Sequence, residues 1–228
     1  MLALLLAVHT SAPIAAPSPL AGTTIVVDPG HPSEVGIGTR GARVTELEIC
    51  WKIGLSLKEY LKRKGATVVL TKDSMNQMVR NQQRAEVGNK VGANYVIRLH
   101  CDAADGRGFS TYYPSQQGTV RGVTGPSAQV IAESKKFAAV FHPALARELA
   151  GHLRDRGPKT DLQTAVGARQ GALTGSIFSQ VPVVLIEMAV LTNPQDEAWI
   201  EKRENQLLYA QAITHATEAV FRKYPATN

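Results

Sequence analysis

The sequence predicts an α/β fold: a three-layer sandwich in which helices cover both faces of a largely parallel, twisted sheet. Strand-like and helical segments alternate along the chain, which is the pattern of consecutive βαβ units. The run from Val181 to Ile186 is apolar on both faces, as expected of a central parallel strand. The 228 residues, 44% hydrophobic and 19% charged, are enough for one well-buried domain of ordinary globular composition.

Residues 1–21 predict a signal peptide or leader. Apolar residues fill positions 1–8, and small residues and prolines follow as far as Pro19. The apolar stretch is far shorter than the roughly 20 residues of a membrane span, so stable membrane insertion is not expected. We expect an exported protein of the periplasm, cell wall or extracellular space, with one domain at 22–228. The alternative is an alanine-rich apolar tail, since the usual positive n-region is missing.

The remaining elements follow from local patterns. Short β-branched or apolar runs bounded by polar residues predict strands, amphipathic stretches predict helices, and Gly65 ends the first helix. The predicted strands are 24–28, 66–71, 95–100, 109–113 and 181–188, with 109–113 expected at the sheet edge. The predicted helices are 46–64, 78–91, 128–141 and 143–156, then a short element at 173–178 and one short and one long helix within 194–224.

Charge and cysteine content narrow the possible partners. The net charge of +6 favours anionic partners, but the basic residues are scattered and no aromatic pattern accompanies them, so nucleic acid is not expected. Two cysteines, Cys50 and Cys101, define neither a disulfide framework nor a cysteine-rich zinc site. We expect both to be small buried residues, and a bridge between them is the alternative.

Three apolar runs end in residues that can bind metal or transfer protons. His31 follows the turn Asp28-Pro29-Gly30, His100 closes the strand that begins at Tyr95, and Glu187 ends the last strand. Because the carboxyl ends of parallel strands meet at one edge of a sheet, these side chains are expected to lie close together. Histidine and carboxylate ligands make a hydrolytic zinc site the leading hypothesis.

Helical periodicity distinguishes two glutamates at the start of the first helix. Glu48 can pair with Lys52 one turn later and is expected to be solvated. Glu46 shares a face with apolar positions 49, 50, 53 and 57 and therefore points inward. A carboxylate on the buried side must be paired, protonated or bound to metal.

Two further side chains follow from the strand patterns. Glu187 emerges from an apolar strand, and low-dielectric surroundings would raise its pKa toward the range useful for a general base. Arg98 shares a strand face with His100 and needs an anionic partner. For Arg98, pairing with a neighbouring carboxylate is favoured over a direct contact with substrate.

Taken in order, these residues resemble the zinc-dependent N-acetylmuramoyl-L-alanine amidases, cell-wall hydrolases of bacteria and their phages. The resemblance runs over about 23–224. It rests on the following segments: residues 28–31, Thr45-Glu46, Arg84 and Asn89, His100-Cys101-Asp102-Ala103, and the run from Glu187 to Asn193. The chain departs from the family pattern at positions 32–33, 102 and 189–190, and Arg98 stands where a serine is usual.

The resemblance implies one zinc ion held by His31, Glu46 and His100, with Glu187 as the catalytic carboxylate. It also implies that residues 22–228 are a single catalytic amidase domain acting on peptidoglycan or muropeptides. The bond cleaved would join N-acetylmuramic acid to L-alanine of the stem peptide. We further expect substrate contacts from Arg84, Arg98 and Asn193, and a monomeric chain.

Two alternatives remain open. Another zinc amidohydrolase, such as a peptidase or deacetylase acting on cell-wall fragments, would use the same kind of histidine and carboxylate ligands. A catalytically silent domain that binds or regulates the wall would keep the fold alone, although the intact set of two histidines and two glutamates argues against it. Part of the stretch 116–141 is expected either to border a substrate groove or to form a plain surface loop and helix.

Overall fold

The computed structural model describes residues 17–226. Most of the predicted leader, residues 1–16, lies outside the described part, so the fold does not address export. No helix within 17–226 is long and apolar enough to cross a membrane.

The predicted α/β sandwich is confirmed, with a six-stranded sheet at its centre. The strands are β1 (Thr24–Pro29), β2 (Thr67–Leu70), β3 (Tyr95–Asp102), β4 (Phe109–Tyr113), β5 (Gly118–Val120), β6 (Val123–Gly125), β7 (Asp155–Thr160) and β8 (Val183–Val190). The helices are α1 (Glu46–Arg63), α2 (Asn81–Lys90), α3 (Ala128–Glu148), α4 (Ala165–Gln170), α5 (Thr174–Ile177), α6 (Pro194–Ile200) and α7 (Arg203–Lys223). The sheet order is β2-β1-β3-β8-β4-β7; β5 and β6 form a separate hairpin.

The sheet is mixed, with four mutually parallel strands on one side. Strands β2, β1, β3 and β8 run parallel, β4 runs antiparallel to β8, and β7 runs parallel to β4. The three strands that end in His31, His100 and Glu187 are therefore parallel, and their carboxyl ends meet at one edge.

The two faces of the sheet differ in character. Helices α1, α3 and α7 bury the larger apolar core against strand residues such as Ile25, Ile97 and Ile186. The other face carries a small apolar cluster that includes Val96 and Val183 and packs against α2. Because strand side chains alternate, this less apolar face also carries Arg98 and His100 of β3 and Leu185 and Glu187 of β8.

The prediction that residues 109–113 form an edge strand was wrong. Strand β4 lies between β8 and β7, and its polar residues Ser110 and Thr111 are fully buried. The edge on this side of the sheet is β7, in a segment that the sequence did not predict as a strand. It carries Gly157 and Pro158, which are tolerated at sheet edges and hide the strand pattern.

The predicted helix boundary at residues 141–143 was also wrong. Helix α3 continues through Pro143 to Glu148, because Phe137, Phe141 and Leu145 bury one continuous face on the core. Packing here outweighs the cost of a proline inside a helix. Most of the stretch 116–141 is therefore the small hairpin β5-β6 and a core helix, which favours a structural role over a cover for a groove.

Candidate functional site

Strand register brings the predicted site residues together. His100 on β3 lies directly beside Glu187 on β8, and Asp28 on β1 lies beside Arg98 on β3. His31 follows β1 by two residues. Glu46 enters from a different direction, as the first residue of α1.

His31, Glu46 and His100 form a cluster that can hold a metal ion, since one ligand atom from each lies within 4.8 Å of the others. Glu46 Oε1 is 3.3 Å from His31 Nε2 and 2.8 Å from His100 Nδ1. Zinc bonds of roughly 2.0–2.1 Å at tetrahedral angles separate neighbouring ligand atoms by about 3.3 Å. The spacing, the donor types and the open side toward Glu187 all fit zinc.

Backbone groups around the cluster fix its orientation. His31 Nδ1 lies 3.0 Å from the carbonyl oxygen of Gly36, which can only accept, so Nδ1 carries the proton and Nε2 faces Glu46. The Glu46 carboxylate accepts from the backbone N–H of Thr39 at 2.7 Å and of Cys101 at 3.1 Å. Outer contacts of this kind hold the ligands of metal sites in place.

The cluster has a marked electrostatic asymmetry. Burial raises the pKa of Glu46, but hydrogen bonds from His100 and His31 outweigh it and hold that pKa well below its usual range. Burial lowers the pKa of His100 despite Glu46, whereas for His31 the contacts with Glu46 overcome burial and raise the pKa. An ionised carboxylate beside an imidazole that favours its neutral form is a suitable ligand pair for a divalent cation.

The turn that carries His31 is held by two buried cations. His31 has a left-handed backbone with φ of 56°, which costs about 1–3 kcal/mol and must be held by surrounding contacts. Lys72, 1% exposed, donates to the carbonyl of His31, and Arg84 donates to the carbonyls of Pro29 and Pro32. Gly30 leaves room for the neighbouring ligand, since a Cβ there would lie 2.8 Å from His100 Cε1.

Glu187 lies beside the cluster in a cleft of about 240 Å³. Apolar side chains from three segments, Val35, Val166, Leu173 and Leu185, line the cleft together with His31 and His100. Burial raises the pKa of Glu187 well above its usual value, and the negative charges of Glu46 and Asp102 add to the effect. Its Oε2 is buried and accepts no hydrogen bond from the described chain.

The three residues predicted to contact substrate lie in different settings. Arg84 is 2% exposed, and its three guanidinium nitrogens all donate to protein oxygens. Asn193 caps α6 by accepting from Gln195 and Asp196, and it donates to Gly106. These contacts favour structural roles for Arg84 and Asn193. Only Arg98 lines the cleft.

Arg84→Met is expected to lower the free energy of unfolding by about 3 kcal/mol. The change removes the 2.6 Å ion pair with Asp28 and frees the carbonyls that shape the His31 turn. Urea unfolding measures the effect, and the exposed residue Arg154 provides a matched control as Arg154→Met, with a change within about 0.5 kcal/mol. Equal midpoints for the two variants would contradict the structural role.

Two residues that hold the site in place were given no role from the sequence. Asp28 accepts from Thr71, Arg84 and Arg98, and its place at the end of a buried strand was a usable signal. The sequence around Lys72 gave no such signal, because lysine is among the residues least often buried and nothing nearby indicates an exception. Both cysteines are buried free thiols, as expected in the absence of a bridge.

Fold and site together define a class: an α/β domain of hydrolytic type, with a potential metal site beside a buried carboxylate. The sequence profile described as N-acetylmuramoyl-L-alanine amidase matches residues 25–219. The chain belongs to this family, which confirms the resemblance inferred from its motifs.

Individual relatives agree with the family assignment. The chain is 28% identical to N-acetylmuramoyl-L-alanine amidase LytC of Bacillus subtilis, over 90% of this chain and 37% of the relative. It is 27% identical to N-acetylmuramoyl-L-alanine amidase Rv3717 of Mycobacterium tuberculosis, over 87% of this chain and 86% of that protein. It therefore spans little more than a third of the first relative and most of the second.

A solved structure supports the fold. The N-acetylmuramyl-L-alanine amidase Ami1 of Mycobacterium smegmatis superposes with a TM-score of 0.72, covering 90% of this chain and 99% of that one at 22% identity.

Proposed function

We propose that this chain is a zinc-dependent peptidoglycan hydrolase that cleaves the amide bond between N-acetylmuramic acid and L-alanine of the stem peptide. The observation that carries the proposal is the convergence of His31, Glu46 and His100 within 4.8 Å, beside Glu187 in an open cleft. Membership of the amidase family supports the choice of bond.

The residues present fit one zinc ion. His31 Nε2, His100 Nδ1 and the Glu46 carboxylate would hold it, and three protein ligands leave a position open for catalysis. When bound, zinc would polarise the amide carbonyl and lower the pKa of water at the site.

Glu187 is the acid/base group of the proposed reaction. Its buried oxygen accepts no hydrogen bond within the described chain and is free to take the proton of the attacking water. The raised pKa of Glu187 then favours keeping that proton until the departing amine of L-alanine accepts it. Glu187 therefore serves as base in the first step and acid in the second.

Other residues of the site hold the proposed ligands and the substrate in position. The carbonyl of Gly36 keeps the His31 ring in one orientation, and Thr39 and Cys101 do the same for Glu46. The apolar lining of the cleft would exclude bulk water from the reacting bond and contact the alanine methyl group. Action on a wall polymer agrees with the export expected from the apolar leader.

The test is a product analysis of purified sacculi digested by the full chain, with and without added zinc after treatment with a chelator. An amidase releases stem peptides whose L-alanine amino group is newly free, and mass spectrometry identifies them. A peptidase would instead cut within the stem, a deacetylase would release acetate, and a silent domain would bind without releasing product. Any of these three results would overturn the proposal.

A further inference from the structure

Two buried arginines share one carboxylate beneath the cleft. Asp28 lies 2.6 Å from Arg84 Nη1 and 3.1 Å from Arg98 Nε. Asp28 is 1% exposed, and its pKa is held well below the usual value; burial opposes this, but the two arginines and Thr71 outweigh it. The three side chains therefore carry a net charge of +1.

The two arginines differ in how fully they are used. Arg84 donates from all three nitrogens to protein oxygens. Arg98 donates from Nε to Asp28 and from Nη2 to Asn81 at 3.2 Å, but its buried Nη1 has no acceptor among residues 17–226. A buried donor without a partner is uncommon in native structures and calls for a missing acceptor. Because Arg98 is only 5% exposed, bulk solvent does not supply one readily.

Arg98 forms part of the cleft that contains Glu187. It shares a strand face with His100, and Gly175, which also lines the cleft, lies against its guanidinium. A Cβ at Gly175 would approach Arg98 Cζ to 2.6 Å, so the wall leaves room for this arginine only because a glycine stands there. Two other carboxylates lie within electrostatic reach of Arg98. Glu187 shares the cleft but makes no hydrogen bond with Arg98, and Asp161 accepts from the backbone N–H of Leu173.

We propose, on the basis of the proposed function, that Arg98 is a specificity-determining residue that binds a carboxylate of the stem peptide. The planar guanidinium matches a carboxylate in both charge and geometry. A carboxylate would accept from Arg98 and offset its positive charge, whereas a carboxamide oxygen would accept without offsetting that charge. The chain therefore selects stem peptides whose carboxylates are free over those in which they are amidated.

The test measures binding of N-acetylmuramoyl peptides that differ only in one group: all carboxylates free, the second residue amidated, or the C-terminus amidated. Calorimetric titration uses the zinc-loaded Glu187→Gln protein, so that binding is read without turnover. We expect one amidation to weaken binding about 10- to 100-fold when Arg98 is present. In the Arg98→Ser protein the same amidation should have an effect of less than about threefold.

The controls separate recognition from folding. Arg98→Lys keeps the charge without the planar fork and should retain part of the preference. Arg154→Ser removes an exposed guanidinium outside the cleft and should keep all of it. If Arg98→Ser fails to fold, Gly175→Ala, which crowds the guanidinium, should lower the preference instead. Equal binding of all three peptides by the Arg98 protein, or an unchanged preference in Arg98→Ser, would overturn the proposal.

A cleavage assay of the wild-type chain on the same three peptides, run beside the titration, distinguishes the two proposals. A preference for free carboxylates that depends on Arg98, together with no cleavage by the wild-type chain, would refute the proposed reaction and leave the role of Arg98 standing. Cleavage of all three peptides at equal rates, without a binding preference, would support the proposed reaction and refute the role of Arg98.

Discussion

Glu187→Gln is expected to lower kcat on a muropeptide by about 10²- to 10⁴-fold while zinc content stays at one ion per chain. The amide has the shape of the carboxylate but cannot accept a proton from water. The proposed metal ligands are His31, Glu46 and His100, and Glu187 makes no hydrogen bond to them. Kinetics on a defined muropeptide and metal analysis of the same sample measure both quantities.

The pH profile gives a second readout of the same group. A base acts when it is deprotonated, and burial, Glu46 and Asp102 all raise the pKa of Glu187, so activity should fall on acidification at a higher pH than for an ordinary glutamate. Asp102→Asn removes one of the negative charges near Glu187. It also leaves the positive charge of Arg156, the 2.9 Å partner of Asp102, without its paired carboxylate. Both effects lower the pKa of Glu187, so the acid limb should move to lower pH.

Two results would contradict this role for Glu187. One is a Glu187→Gln protein that keeps more than a tenth of the wild-type kcat. The other is an acid limb that stays in place when Asp102 is replaced, because the limb would then report another group.

The parts of the site that could be predicted from sequence are those encoded by local periodicity. The apolar runs before His31, His100 and Glu187 are visible over three to six residues, and parallel pairing then places their ends together without further information. Glu46 could be distinguished from Glu48 because a helix separates positions two residues apart by about 200°. The structure agrees: Glu46 is buried, whereas Glu48 forms the capping box with Thr45.

The features missed depend on contacts between distant segments. Strand β7 exists because β4 offers it an edge, and its own sequence carries Gly157 and Pro158. Pro143 lies inside α3 because the core holds both halves of the helix. The spare donor of Arg98 is of the same kind: period-two geometry predicted that it needs an anion, but only the structure shows that Arg84 already shares that anion.

Glu46→Gln is expected to weaken zinc binding by at least about 100-fold and to reduce hydrolysis to background. Loss of an outer contact alone costs about 10- to 100-fold in affinity, and Glu46 is the only carboxylate in the ligand cluster found among residues 17–226. Its Oε1 faces both His31 and His100, so the neutral amide would leave a divalent ion with two imidazoles and no negative charge. Competition with a chromogenic chelator gives the affinity.

Glu48→Gln is the matched control, two residues along the same helix. It alters the half-buried capping box with Thr45 and should cost at most about 1 kcal/mol of stability, with zinc affinity and kcat unchanged. Zinc at 100 times its Kd should add about 2.7 kcal/mol to the stability of the wild type and of Glu48→Gln. For Glu46→Gln, with a Kd at least about 100 times higher, the same zinc concentration should add at most about 0.4 kcal/mol. A melting temperature that rises equally with zinc in all three proteins would place the metal elsewhere, since this carboxylate would then contribute nothing to holding it.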